Sequence, residues 1–149
     1  MGQFFKTVTV VKGTDFQRMA QDRLSEAELL YQGKYYNGAY YLAGYAVEFT
    51  LKATICRCLN IELFDDTEVS SKVSAPLRTH NLESLLIFSG LYHTLQTERT
   101  ADLPLELAWV LVAGWKEDRR YDPQLYQAQT ARRFLNAAEY FTQWIRKHW

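Results

Sequence analysis

Small and apolar residues recur at helical spacing through residues 35–59, YYNGAYYLAGYAVEFTLKATICRCL. Ala39, Ala43, Ala46 and Thr50 form the centre of one stripe, and Tyr36, Val47, Leu51 and Thr54 widen it. Little bulk at the centre of a stripe of period near 3.6 suits close helix–helix packing. The opposite positions carry Tyr41, Gly44, Tyr45, Glu48, Lys52, Ile55 and Leu59. A helix this apolar on all sides is sandwiched between neighbours rather than laid on a surface. Its one acid and one base, Glu48 and Lys52, stand four apart in the favourable acid-first order.

The same pattern predicts the other elements. Residues 2–13 are β-branched and end in Gly; Thr7 to Val11 fit an edge strand or an arm that packs on a partner chain. Thr14 or Asp15 has the chemistry of an N-cap. A helix follows to about Gln32, marked by Phe16, Met19, Ala20, Leu24, Ala27 and Leu30, and Gly33 stops it. The short connection to Tyr36 predicts an antiparallel hairpin. The acidic, Ser-rich stretch after Leu59 predicts a long solvated loop without the spacing of a calcium site. Thr79 or Asn81 caps a short helix over Leu82 to Ser89, with Leu82, Leu85, Leu86 and Phe88 as its apolar residues, and Leu91 to Gln96 fit a further turn. Asp102-Leu-Pro opens another helix, whose inner face would be Leu105, Ala108, Trp109, Val112, Ala113 and Lys116. Pro123 breaks the pattern, and a last helix runs from about Gln124 to Lys147, burying Leu125, Ala128, Ala131, Leu135, Ala138, Phe141 and Ile145. The expected fold is all-α: an up-and-down bundle of about five helices, four of them long, over residues 14–149, preceded by the arm 1–13.

Composition narrows the functions available. The 149 residues suffice for one domain with a core. Seventeen basic residues balance seventeen acidic ones. They are spread evenly: 5 and 5 in residues 1–50, 5 and 6 in 51–100, and 7 and 6 in 101–149. A nonspecific nucleic-acid binder shows a basic excess, which is absent. Cys56 and Cys58 stand two apart on the central helix, so they face different sides and are expected as two core thiols of a reducing cytoplasm. No apolar run approaches the ~20 residues of a membrane span, and no signal-peptide pattern opens the chain. A cytoplasmic protein without membrane attachment is the expectation. Neither a Gly-rich phosphate loop nor a metal-ligand cluster is found, so no cofactor is expected.

The order of features resembles the HEPN family (higher eukaryotes and prokaryotes nucleotide-binding). The matching residues are the helix pair joined at Gly33-Lys34-Tyr35-Tyr36, the A-x-x-x-A-x-x-A-x-E-x-x-x-K run from Ala39 to Lys52, Thr79-His80-Asn81-Leu82 with Leu85-Leu86, and Trp109-x5-Trp115 before Asp118-Arg119-Arg120-Tyr121. The resemblance implies a helical bundle that commonly dimerises and often works beside a nucleotidyltransferase-like partner. Many members are RNases, whose motif is an Arg followed after four to six residues by a His. His80, His93 and His148 have no Arg at that distance, so the motif is absent.

Candidate chemistry concentrates in a few side chains. Arg119 or Arg120 suits a bidentate phosphate contact, or else an ion pair with Glu48 that holds two helices in register. His80 suits acid–base work, or else the first turn of a capped helix. Tyr41, Tyr45, Glu48 and Lys52 on the central helix, with Arg120 and Tyr121, make the candidate ligand site, and Glu48 is expected to look toward Arg120. Arg132, Arg133, Arg146 and Lys147 fit a solvated face of the last helix, and the four tryptophans fit core or dimer-interface anchors. The resulting expectation is a non-catalytic, homodimeric interaction module binding a nucleotide or RNA. The alternative is a metal-independent RNase of toxin or defence type, using Arg119 or Arg120 with His80.

Overall fold

The computed structural model describes residues 11–62 and 70–149. The predicted arm falls outside them up to residue 10, as do residues 63–69 of the acidic loop. Seven α-helices run through the described residues, with no strand among them: α1 (Gly13–Gln32), α2 (Tyr36–Leu59), α3 (Ser71–Ser74), α4 (Leu82–Phe88), α5 (Tyr92–Glu98), α6 (Leu103–Ala113) and α7 (Ala128–Arg146). Two 3₁₀ turns, Ala75–Arg78 and Glu117–Tyr121, complete them. The four expected long helices are α1, α2, α6 and α7. α3 and the first 3₁₀ turn lie in the stretch expected to be loop, and the second 3₁₀ turn occupies the KEDRRY segment.

α2 is enclosed as its composition requires. Ala39, Ala43, Ala46, Val47, Thr50, Leu51, Thr54 and Ile55 are all buried, and so are Gly44, Glu48 and Lys52 on the other side. α1 packs along α2 as the second arm of the hairpin, α7 closes on both, and α6 packs on α7. α4 and the 3₁₀ turn Glu117–Tyr121 cover the remaining face of α2. Tyr40 of α2 stacks on Phe134 of α7 at 3.8 Å between ring centroids, within the one core the helices share.

The turn between α1 and α2 differs in one respect from expectation. Gly33 keeps a right-handed φ of −76°, and Lys34 takes the left-handed conformation at φ 66°. The Tyr35 N–H bonds the Leu30 carbonyl at 2.8 Å and the Lys34 N–H bonds the Tyr31 carbonyl at 2.9 Å. This is a Schellman closure with Lys34 at the position usually given to glycine. α1 also starts earlier than Thr14. The Asp15 carboxylate accepts the Lys12 N–H from inside the helix at 2.9 Å, and Glu62 accepts the Gly13 N–H at 2.6 Å.

Caps fix the later helices. The Asn81 side chain accepts from the Ser84 N–H at 2.8 Å, and Asp102 accepts from the Leu105 N–H at 3.0 Å. Ala113 and Lys116, placed on the inner face by pattern, are exposed, as is Phe88. α6 ends at Ala113, so its periodicity does not carry to Lys116. Leu125 is 84% exposed, because α7 begins only at Ala128. The Asn37 side chain takes over the intervening backbone: it donates to the Gln124 carbonyl at 2.6 Å and accepts the Tyr126 N–H at 2.8 Å. Cys56 is buried but Cys58 is exposed, so only one of the two thiols belongs to the core. Trp109, Trp115 and Trp144 are core residues, and the Trp149 indole N–H reaches the Thr54 hydroxyl at 2.8 Å. No helix among the described residues is long and apolar enough to cross a membrane.

Gly44 is the one position where α2 cannot carry a side chain. A Cβ built there would lie 2.0 Å from Nε1 of Trp115, whose indole lies flat against the helix. Gly44→Ala is therefore expected to lower stability by about 3 kcal/mol through overpacking, measured by urea denaturation with a red-shifted tryptophan emission. In the opposite sense, Lys34→Gly relieves a left-handed lysine and is expected to raise stability by about 1 kcal/mol.

Candidate functional site

One face of α2 carries Asn37, Tyr41, the adjacent Gly44 and Tyr45, then Glu48 and Lys52, with three or four residues from one turn to the next, as helical neighbours must be. The first of these look out at the end of the bundle; the last are buried. Glu48 is 1% exposed and its carboxylate is shared. Lys52 Nζ donates to Oε1 at 2.7 Å, and His80 Nδ1 lies 3.0 Å from both oxygens. A buried carboxylate is tolerated only with such partners.

His80 continues the chain outward. Its Nε2 lies 2.6 Å from Oε2 of Glu117, at the start of the second 3₁₀ turn. The ring thus stands between two carboxylates with both nitrogens engaged, and can donate to both only as the imidazolium. Arg120 reaches the other oxygen of Glu117 at 3.4 Å. A direct Glu48–Arg120 pair is therefore replaced by a relay, Glu48–His80–Glu117–Arg120, because Lys52 and His80 already fill the Glu48 carboxylate. Glu117, the joint of the relay, has no periodic signal in the sequence.

The two arginines separate in role. Arg119 hydrogen-bonds the Tyr126 hydroxyl, lies 3.5 Å from Asp122 and sits 5.8 Å from the centres of both the Tyr40 and Tyr126 rings. It ties the 3₁₀ turn to α2 and to the segment entering α7. Arg120 lies more open, 4.8 Å over the ring of Tyr121, which is 75% exposed. Hydrogen bonding to Tyr41, and next to Tyr121, raises the Arg120 pKa above its ordinary value. The Tyr41 hydroxyl donates to that of Tyr45 at 3.2 Å. Burial first, and then that hydrogen bond, push the Tyr45 pKa well up; burial also raises Tyr40, against the pull of Arg119. Both phenols are thus neutral donors or acceptors at neutral pH.

A cleft of about 220 Å³ opens between these elements, lined by Asn37, Tyr40, Tyr41, Arg119, Arg120 and Tyr126, among others. Tyr121 stands outside it, Tyr45, Glu48 and Lys52 lie farther along α2, and the His80 side chain is 45% exposed. The expected site residues therefore fall into an open group around Arg120 and a buried pair, Glu48 and Lys52, which the exposed His80, with Glu117, joins to it. Asn37, Tyr40 and Tyr126 are further lining residues; the first was recoverable from its place one turn before Tyr41 on the same face. The basic residues of α7 act elsewhere. Arg132 forms a two-pronged pair with Glu28 at 2.8 Å and covers the Tyr31 ring at 3.8 Å, and Arg146 donates to Gln21 at 3.1 Å. Among the described residues no group of three or more His, Cys, Asp and Glu side chains is placed to hold a metal ion.

The family model for the HEPN domain matches residues 14–62. The matched stretch takes in nearly all of the α1–α2 hairpin, including Tyr41, Tyr45, Glu48 and Lys52, and bears out the HEPN resemblance there. A search of curated proteins and a search of solved structures each found no match.

Burial sets the expected cost of dismantling the relay. Glu48→Ala leaves Lys52 and His80 without their shared acid deep in the bundle and should destabilise by about 3 kcal/mol. Glu117→Ala acts at a part-exposed pair and should cost about 1 kcal/mol or less. Equal costs in urea denaturation would contradict this division.

Proposed function

We propose that this protein is a HEPN-like module that binds a nucleotide or RNA in the cleft beside Arg120 without cleaving it. The cleft itself carries the reading. It sets a partly exposed guanidinium beside the rings of Tyr41 and Tyr126, over a floor made by the buried Tyr40, a cation for phosphate and aromatic surface for a base. The HEPN match over the hairpin that carries Tyr40 and Tyr41 supports the same ligand class. The surroundings of His80 support binding without cleavage. A general acid–base must reach the proton it moves, and both nitrogens of this ring already face carboxylates.

A second reading rests on a different observation. His80 and Arg120 bind the two oxygens of one carboxylate, Glu117, so the structure brings them to the same place. Release of Glu117 would leave an imidazole and a guanidinium side by side, the groups a metal-independent RNase needs. RNA incubated in EDTA separates the two. The proposal expects bound, intact RNA, with affinity lost about tenfold in Arg120→Ala, the scale of one charge-assisted phosphate contact. Cleavage abolished by both Arg120→Ala and His80→Ala would establish the second reading instead.

The module is proposed to act as a homodimer, in company with a nucleotidyltransferase-like protein, as the HEPN likeness implies. The outer face of α6 supports the dimer. Leu103, Leu107, Val110 and Leu111 are 66%, 56%, 56% and 41% exposed and form a helical stripe without a charge. Two copies packed antiparallel along it set Leu103 against Leu111 and cover all four, an isologous contact. Light scattering is expected to give a dimer for the native chain and a monomer for Leu107→Glu. A native monomer at micromolar concentration would remove the dimer.

A further inference from the structure

A second hollow adjoins the cleft, and we infer that the ligand is a single strand of RNA laid through both. This rests on the proposed nucleotide site around Arg120 and names its substrate as a strand of two or more nucleotides rather than a mononucleotide or a duplex.

The second hollow, of about 320 Å³, lies at the turn between α1 and α2. Lys34, Tyr35, Tyr36 and Leu125 line it alone, and Asn37, Gly38 and Tyr126 form the wall it shares with the cleft. The shared wall is fixed before any ligand arrives. Asn37 holds the backbone on both sides of Leu125, and Arg119 holds the Tyr126 hydroxyl. The Schellman closure brings Lys34 to the rim, with its φ at 66°.

The two hollows repeat one chemistry. The first offers Arg120 with Tyr41; the second offers Lys34 with Tyr35 and Tyr36. Tyr35 and Leu125 are 68% and 84% exposed, apolar surface that contributes nothing to the core. An alternation of cation and ring matches the alternation of phosphate and base along a single strand. A duplex hides its base faces in its own stack and presents none to a tyrosine. The chain has no net charge, so affinity must come from such local contacts rather than from a general basic field.

The test uses fluorescence anisotropy with three probes: adenosine monophosphate as competitor, a labelled oligoadenylate of roughly ten nucleotides, and a labelled RNA hairpin. The oligoadenylate is expected to bind at least about tenfold more tightly than the mononucleotide, and the hairpin stem more weakly than the open strand. Tyr35→Ala and Lys34→Gly are each expected to weaken the oligoadenylate about five- to tenfold and to leave the mononucleotide unchanged. Lys34→Gly is the safer variant, because it relieves a left-handed residue and should fold more stably than the native chain. Arg120→Ala should weaken both probes. Equal affinity for mononucleotide and oligomer, native-like oligomer binding by the Tyr35 and Lys34 variants, or a preference for the duplex overturns the inference while the nucleotide site stands. Binding of neither mononucleotide nor oligomer overturns the site and the inference together.

Discussion

The buried carboxylate of Glu48 is the constraint on which the site depends. A carboxyl group with 1% exposure must be matched from within. Lys52 supplies one partner from the next turn of α2, and His80 supplies another from the chain before α4. That requirement draws the 79–81 turn onto α2. His80 then offers its second nitrogen to Glu117, and Glu117 holds Arg120. A charge deep in the bundle thereby sets the position of a guanidinium at its surface.

Packing provides the other half. Trp115 can lie on α2 only because residue 44 has no side chain. Its ring stands edge-on to Tyr45 at 5.1 Å and near Tyr41 at 6.2 Å, which fixes Tyr41 at the cleft wall and Tyr45 one turn behind it. Trp115 comes two residues before Glu117, so the same contact delivers the 3₁₀ turn to α2. The polar relay and the aromatic packing are two consequences of one juxtaposition, α2 against residues 115–121.

Much of this was legible in the sequence, for identifiable reasons. The enclosure of α2 follows from alanines at helical spacing on one side and an apolar opposite side, and periodicity reports burial directly. The hairpin, the Asn81 and Asp102 caps and the four long helices rest on local chemistry of the same kind. What escaped depends on contacts distant in sequence. The late start of α7 comes from Asn37, some 87 residues away, claiming the backbone at Gln124. Leu125 was misplaced for that reason. Glu117 lies in a run of charges with no period, and only the fold reveals that it joins His80 to Arg120. Gly33 stops α1 as expected, but the left-handed residue of the turn is Lys34, because a lysine accepts that conformation when the Schellman bonds hold it.

The central claim is that the α2 face and the second 3₁₀ turn together form the ligand site. Amide chemical-shift mapping of the isotope-labelled protein during titration with oligoadenylate tests it most directly. The account predicts the largest shifts at Asn37, Tyr41, Arg120 and Tyr126, on both sides of the cleft. Shifts confined to the basic residues of α7, with the cleft silent, would contradict it.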